Sequence, residues 1–109
     1  MDDVMGEKGM IVRGTTPTLT FGLPFNADLI ATGFVVIQQE DNVIVEKELS
    51  ECECGGRTVS AKFTQEDTLK LSSGSKAEIN LVIKTLGGDR LESVSIFDRV
   101  EDTSKDGVI

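Results

Sequence analysis

Strands and turns alternate along the sequence between Arg57 and Ile96, and this alternation limits the chain to a small β-domain. Within the segment Lys76–Leu86, for example, apolar residues take every second position, and the Gly-Gly pair 87–88 follows. A period of two is typical of strands that place one face on a core. The pattern predicts a fold class and says nothing about a chemical activity.

Two further strand pairs complete the predicted fold. Phe34–Glu40 and Val43–Leu49 are β-branched runs that we expect to form a hairpin with its turn at Asp41–Asn42. Met10–Arg13 and Thr15–Leu23 predict a first strand pair or one bent strand. The sequence therefore predicts an all-β, immunoglobulin-like antiparallel β-sandwich of about seven strands with one short helical turn.

Local signals add detail to this prediction. Thr64 and Asp67 have the spacing of a capping box that would start the helical turn, and Asn26 is placed to cap a second turn. The last strand changes its phase near Ser93–Phe97, which predicts a β-bulge. The side chains expected to face the core are Leu19, Phe21, Leu23, Val59, Ala61, Phe63, Ala77, Ile79, Leu81 and Ile83.

Length and charge narrow the classes of function. A chain of 109 residues has room for one domain, which we place at residues 10–100, between a flexible leader at 1–9 and a C-terminal tail at 101–109. The net charge of −8 disfavours nucleic acid and anionic membrane surfaces as partners. The leader has no signal-peptide pattern, so we expect a protein that is cytoplasmic when it is synthesised.

Catalytic and metal-binding chemistry has little support in the composition. The chain contains no histidine, the commonest general base and metal ligand. Cys52 and Cys54 are two thiols where a structural zinc site needs about four ligands, so we expect free cysteines. The sequence predicts no enzyme activity and no cofactor.

Acidic residues concentrate on the predicted hairpin, and they suggest two uses. Glu40, Asp41, Glu46 and Glu48 lie close together in the sequence. One use is a β-sandwich module that binds calcium or carbohydrate, with the carboxylates as calcium ligands. Trp and Tyr, the side chains on which sugars usually stack, are absent. The same residues could instead form a solvated face or a docking surface for a basic partner.

Sheet edges are the other candidate interaction surface. Thr15, Thr16, Pro17 and Thr18 begin an expected edge strand, and the terminal strand up to Val100 is expected at another edge. Exposed edges pair with other chains unless they are blocked. Two interpretations stay open: these edges make assembly contacts, or Pro17 and the nearby charges protect them.

Several motifs resemble one group of known proteins. The matching stretches are Ile11–Phe21, Leu23–Phe25, Thr64–Leu69, Leu86–Asp89 and Asp106–Ile109. In order and spacing they resemble small proteins encoded among the structural genes of prophages in Gram-positive bacteria. Those proteins are similar in turn to the N-terminal domain of upper baseplate proteins of lactococcal-type siphophages.

The resemblance implies a structural role without enzyme activity. It suggests an immunoglobulin-like part of a virion tail or baseplate, whose partners are other phage structural proteins or copies of the chain itself, as in a homo-oligomer. Arg13–Pro17 would belong to the first strand of such a domain, and Thr64–Leu71 would form the crossover turn between its sheets. Newly made protein would then move from the bacterial cytoplasm into the virion.

Overall fold

The computed structural model describes residues 10–97 and 99–109, so the expected leader at 1–9 lies outside the described residues. The described residues form nine strands, one short α-helix and two 3₁₀ turns. In chain order these are β1 (Met10–Val12), β2 (Thr18–Gly22), a 3₁₀ turn (Ala27–Leu29), β3 (Ile30–Gln39), β4 (Asn42–Glu48), a 3₁₀ turn (Leu49–Glu51), β5 (Glu53–Gly55), β6 (Thr58–Lys62), α1 (Gln65–Leu69), β7 (Ala77–Thr85), β8 (Arg90–Phe97) and β9 (Arg99–Glu101).

Two antiparallel sheets face each other across the core. One has the strand order β4-β3-β7-β8, and the other has the order β2-β6-β5. A short parallel pair, β1 with β9, lies beside them. These orders are similar to those of an immunoglobulin-like sandwich, with one additional edge strand in the larger sheet and three strands rather than four in the smaller one. The predicted all-β sandwich is confirmed.

The core is filled by the side chains that the period-two pattern placed inward. Ile79 and Leu81 of β7 pack with Val35 of β3, and Val59 and Phe63 face them from the other side. Because all of these are buried aliphatic or aromatic side chains, their removal from water supplies the main stabilising contribution to the fold. Of the predicted inward residues, Leu19 and Leu23 are only partly buried against this core.

Short helical segments begin where the sequence predicts them. The Thr64 hydroxyl accepts a hydrogen bond from the Asp67 amide at 3.1 Å, and the Asp67 carboxylate accepts one from the Thr64 amide at 2.8 Å. Asn26 caps the first 3₁₀ turn by accepting from the Asp28 amide at 3.1 Å. Both capping predictions are confirmed.

The turn of the β3–β4 hairpin lies one residue earlier than predicted. Glu40 and Asp41 carry the positive φ angles, 51° and 66°, and Gln39 pairs with Asn42. The shift has a cause inside the hairpin: the register changes after Ile37, so that Ile44 is an extra residue on β4. This bulge moves the tight two-residue turn back along the chain.

The first two strands do not pair with each other. β1 runs parallel to β9, whereas β2 pairs with β6 in the smaller sheet. Between them Gly14 adopts a φ of +84°, a conformation that favours glycine, and redirects the chain from one pair to the other. The prediction of one strand pair or one bent strand is therefore wrong.

The predicted bulge near Ser93–Phe97 is also absent. β8 pairs with β7 in an uninterrupted register from Lys84 opposite Arg90 to Ala77 opposite Phe97. β8 ends at Phe97, and β9 begins at Arg99 beside β1. The phase change in the sequence reflects which residues are exposed on β8, as described below.

Candidate interaction surface

The outer edge of β8 is open along the whole strand. β8 pairs with β7 on one side, and no strand among residues 10–97 and 99–109 pairs with its other side. From Arg99 onward the situation changes, because β1 covers β9. We call the open stretch Arg90–Phe97 the β8 edge. It is eight residues long, whereas the covered stretch has three.

Aliphatic side chains on the β8 edge are exposed to solvent. Leu91 is 41% exposed, Val94 55% and Ile96 50%. Isolated exposed aliphatic residues are ordinary on protein surfaces, but three on one edge strand, with Val94 and Ile96 on one face and Leu91 on the other, suit contact with another chain. Phe97 is buried and attaches the end of the strand to the core.

The two faces of β8 explain this exposure. Leu91, Ser93, Ser95 and Phe97 share the inward face of β8, and its two middle positions, Ser93 and Ser95, lie opposite Leu81 and Ile79. Small polar side chains therefore occupy the middle of this face. Val94 points to the other face, beyond the core. Along Arg90–Ile96 the sandwich core therefore ends at β7, and Phe97 alone continues it onto β8.

Asn80 lies under this outer face. It is opposite Val94 on one side and Val36 on the other, and only 5% of its surface is exposed. Its Nδ2 donates to Gln38 Oε1 at 3.4 Å, whereas Oδ1 has no hydrogen-bond partner among the described residues. A buried acceptor without a partner costs about 1–3 kcal/mol.

An apolar groove of about 450 Å³ begins where β8 begins. Phe25, Leu29, Leu86 and Leu91 line it, and Leu29 and Leu86 are exposed. The Leu86 amide donates to the Leu29 carbonyl at 2.8 Å, which fixes the two sides of the groove relative to each other. The groove extends the apolar surface of the β8 edge around the end of the sandwich.

The predicted Thr15–Thr18 surface is anchored at several points. The Thr15 carbonyl accepts from Thr68 Oγ1 at 2.8 Å, and the Pro17 carbonyl accepts from the Phe63 amide at 2.9 Å. Thr15, Thr16 and Thr18 are exposed, and Pro17 is half-buried. β2 therefore has an open edge as predicted, but one of only five residues.

The predicted acidic residues lie at the β4 edge of the larger sheet, opposite the β8 edge. Glu40 and Asp41 form the tip of the hairpin, and Glu46 and Glu48 are exposed on β4. No hydrogen bond or ion pair between described residues joins them to Thr15–Thr18. Within the described part of the chain, no three carboxylate or cysteine side chains are grouped so that they could hold a metal ion.

Lys47, between these glutamates, is already paired. Its Nζ lies 2.8 Å from Asp67 Oδ2, and each side chain is 13% exposed. Burial raises the pKa of Asp67, but hydrogen bonds from Lys47 and Thr64 outweigh it and hold the pKa below its usual value. The pair ties β4 to α1.

Arg13 has a structural role in the motif that carries the resemblance. Its guanidinium donates to the carbonyls of Leu69 and Leu71, each at 2.9 Å, and pairs with Asp102. The hydrogen bond from Arg13 also lowers the pKa of Asp102. Arg13 thus holds the end of α1 and the segment after β9 together.

Cys52 and Cys54 are free thiols, as expected. Burial is the main cause that raises the pKa of Cys52, which makes its reactive thiolate scarce near neutral pH. Cys54 is exposed.

Sequence reasoning identified the terminal strand as an edge but missed the residues that matter on it. Leu91, Val94 and Ile96 are the exposed aliphatic side chains, and none of them was among the predicted site residues. The phase change near Ser93 was the available signal, because it places Val94 and Ile96 on the face away from the core. A bulge gives the same pattern, so the signal has two interpretations.

Comparison with known proteins adds information on the fold alone. No protein-family model and no curated protein matches the chain. Among solved structures, the crystal structure of an engineered protein at 1.98 Å resolution is similar, with a TM-score of 0.56 and 14% sequence identity. The match covers 86% of this chain but 17% of that one, so this chain spans a small part of its length. No helix in the described residues is long and apolar enough to cross a membrane.

Proposed function

We propose that this protein is a non-enzymatic assembly module that binds protein partners through the β8 edge. The observation that carries the proposal is an eight-residue edge strand with three exposed aliphatic side chains and no described strand on its outer side. Edges of this kind add an extended strand from another chain, which gains main-chain hydrogen bonds and side-chain contacts together.

Other edges of the sandwich are less suited to this role. β5 has three residues, and β2 follows Pro17, which lacks an amide donor. β4 has seven residues but presents Glu46 and Glu48 at its surface. Charged side chains on an edge discourage pairing with another strand, whereas the β8 edge lacks this protection over its second half.

A setting for this module comes from the resemblance to prophage structural proteins. In that setting the chain is an adaptor in a phage tail or baseplate, and it joins the particle by contacts with other structural proteins or with further copies of itself. The Arg13–Pro17 and Thr64–Leu69 motifs support this setting through the fold, because they hold α1 in place. Neither motif includes residues of the β8 edge, which is the proposed binding surface.

Purified particles test the proposal directly. We would induce the prophage of the source strain, purify particles and measure by mass spectrometry whether the chain is present in stoichiometric amounts. Particles produced with Val94→Lys are expected to lack the chain, whereas Val43→Lys should leave it in place. Val43 is a matched control, because it is 54% exposed on the opposite edge of the same sheet.

Circular dichroism of both variants is the control that they remain folded. Absence of the wild-type chain from intact particles would refute the tail or baseplate setting. Equal incorporation of the two variants would refute the β8 edge as the binding surface.

A further inference from the structure

The open part of β8 has defined limits, and these limits restrict what can pair with it. The β7–β8 turn closes one end before Arg90, and β1 covers the edge from Arg99 onward. An added strand therefore has room for about eight residues, centred between Ser93 and Val94. The β8 strand of a second copy has this length.

Symmetry restricts how two copies of β8 could pair. When two identical antiparallel strands pair in one sheet, the two-fold axis is perpendicular to the sheet, so each face of one copy continues as the same face of the other. Residues directly opposite each other share a face. At the axis, a residue of one copy must therefore lie directly opposite the same residue of the other copy, and we name the axis by that residue. The middle of the open edge leaves two choices, Ser93 and Val94.

The side chains favour Val94. An axis through Val94 places the two valines against each other and Leu91 opposite Phe97, so an apolar pair forms on each face, and Glu92 lies opposite Ile96. An axis through Ser93 places Leu91 opposite Ser95 and leaves both central positions to serine. Cross-strand pairs between apolar side chains stabilise antiparallel pairing, so the first register is more stable.

Charge allows copies of this acidic chain to meet here. β8 carries one positive residue, Arg90, and one negative residue, Glu92, whereas the whole chain has a net charge of −8. Two copies repel each other over most of their surface, and a strip without net charge is where contact costs least. On β4, by contrast, self-pairing would bring Glu46 and Glu48 of two copies together.

We infer that the partner on the β8 edge is a second copy of this chain, paired antiparallel through β8 about a two-fold axis at Val94. The two larger sheets then form one continuous sheet of eight strands. This inference rests on the proposed function insofar as the β8 edge is the binding surface, and it adds the identity of the partner and the register.

Residues 1–9 are the competing occupant, because β1 begins next to the end of the open edge. Their sequence is a poor strand former: it contains Gly6, Gly9 and three acidic residues and lacks apolar alternation. The test therefore includes a chain from which these residues have been removed.

Disulfide trapping tests the register. In a full-length chain with Cys52→Ser and Cys54→Ser, we would introduce Val94→Cys, oxidise the protein and measure covalent dimer by non-reducing electrophoresis. Directly opposite residues have Cα atoms about 4.5–5.5 Å apart, which a disulfide can bridge. We expect most of the protein to become dimer, while Val43→Cys in the same background remains monomer at equal concentration.

Two serine variants sharpen the result. Under the Val94 register, Ser93→Cys and Ser95→Cys should each give little dimer alone and abundant dimer when mixed. Dimer from Ser93→Cys alone, without dimer from Val94→Cys, would overturn the register. Sedimentation should show that the wild-type chain is a dimer and that Val94→Lys is a folded monomer.

Failure of the inference and failure of the proposed function give different results. A wild-type chain that is monomeric in solution and gives no Val94→Cys dimer overturns the inference. So does a dimer that forms only after residues 1–9 are removed. If such a chain is nevertheless incorporated into particles and Val94→Lys is not, the assembly function stands and the partner is another protein.

Discussion

The two edges of the larger sheet, β4 and β8, differ in how the rest of the molecule holds them. β4 places Val45 in the core, is tied to α1 through Lys47 and Asp67, and carries exposed glutamates. β8 has serines at inward positions and aliphatic residues facing solvent. One edge is thus integrated into the domain and protected by charge, and the other is available to a partner. The comparison shows that the two edge strands of one sheet can differ widely in how firmly they are held and in which side chains they expose.

Strands β3 and β7 separate the two edges, and they pack closely at Gly33 on β3. A Cβ at Gly33 would lie 2.8 Å from the Val82 carbonyl oxygen and 2.9 Å from a Leu49 methyl carbon. Because backbone of β7 cannot move away cheaply, Gly33→Ala should lower the free energy of unfolding by about 3 kcal/mol. Urea denaturation measures this change.

Gly22→Ala is the control for that substitution, since a Cβ there meets no atom within 4 Å. A loss at Gly33 no larger than the loss at Gly22 would mean that the centre of the sheet is looser than described. The contrast between the edges would then need another explanation.

A matched pair of valine substitutions measures the difference between the edges themselves. Val45 is 5% exposed on β4, and Val94 is 55% exposed on β8. Val45→Ala should reduce the free energy of unfolding by about 2 kcal/mol, because it leaves a cavity. Val94→Ala should change it by less than about 0.5 kcal/mol, measured with the dilute monomer. Similar losses at the two sites would contradict the view that the core ends at β7.

The ion pair that holds β4 should make this edge sensitive to acid. The pKa of Asp67 is lower in the folded chain than in the unfolded chain, so its stabilising contribution is present above about pH 4 and is lost as the pH falls through the folded value. Asp67→Asn should remove about 1 kcal/mol at neutral pH and make the acid dependence of the melting temperature shallower.

Asp41→Asn serves as the control here, because Asp41 is exposed at the hairpin tip and asparagine tolerates its positive φ. It removes one negative charge without touching the Lys47–Asp67 pair. If the melting temperature of Asp67→Asn falls with decreasing pH as steeply as that of the wild type, the ion pair does not stabilise β4.

The smallest expected effect concerns Asn80, beneath the β8 edge. Because its Oδ1 is buried without a partner, Asn80→Val should raise the free energy of unfolding by roughly 0.5 kcal/mol. Thermal unfolding of the wild type and the variant side by side measures this. A loss of stability would show that Oδ1 has a partner, such as an ordered water, and that the outer face is better satisfied than described.

Local sequence predicted those parts of the fold that depend on neighbours in the chain. The alternation in β6 and β7 and the capping box at Thr64 are examples, and all are confirmed. The turn at Glu40–Asp41 was misplaced, because a bulge on β4 that depends on pairing with β3 sets its position. Local patterns do not contain that pairing.

The candidate site was harder to predict for the same physical reason. Alternation shows that Val94 and Ile96 share a face, but only the strand order shows that this face lies outside the core and that β8 is at an edge. Thr15–Thr18 could be placed near an edge because Pro17 is a local signal. The charges of Glu46 and Glu48 are visible in the sequence, but only the strand order shows that they lie on an edge.

The parallel pairing of β1 with β9 has a mechanical consequence. One strand lies near the beginning of the described chain and the other near its end, and they run side by side in the same direction. Force applied to the segments outside this pair pulls the strands in opposite directions along their length. All hydrogen bonds of the pair then bear load together instead of opening one after another, and the Arg13–Asp102 ion pair at the same point shares that load. The shear geometry of this pair therefore opposes stretching along the chain.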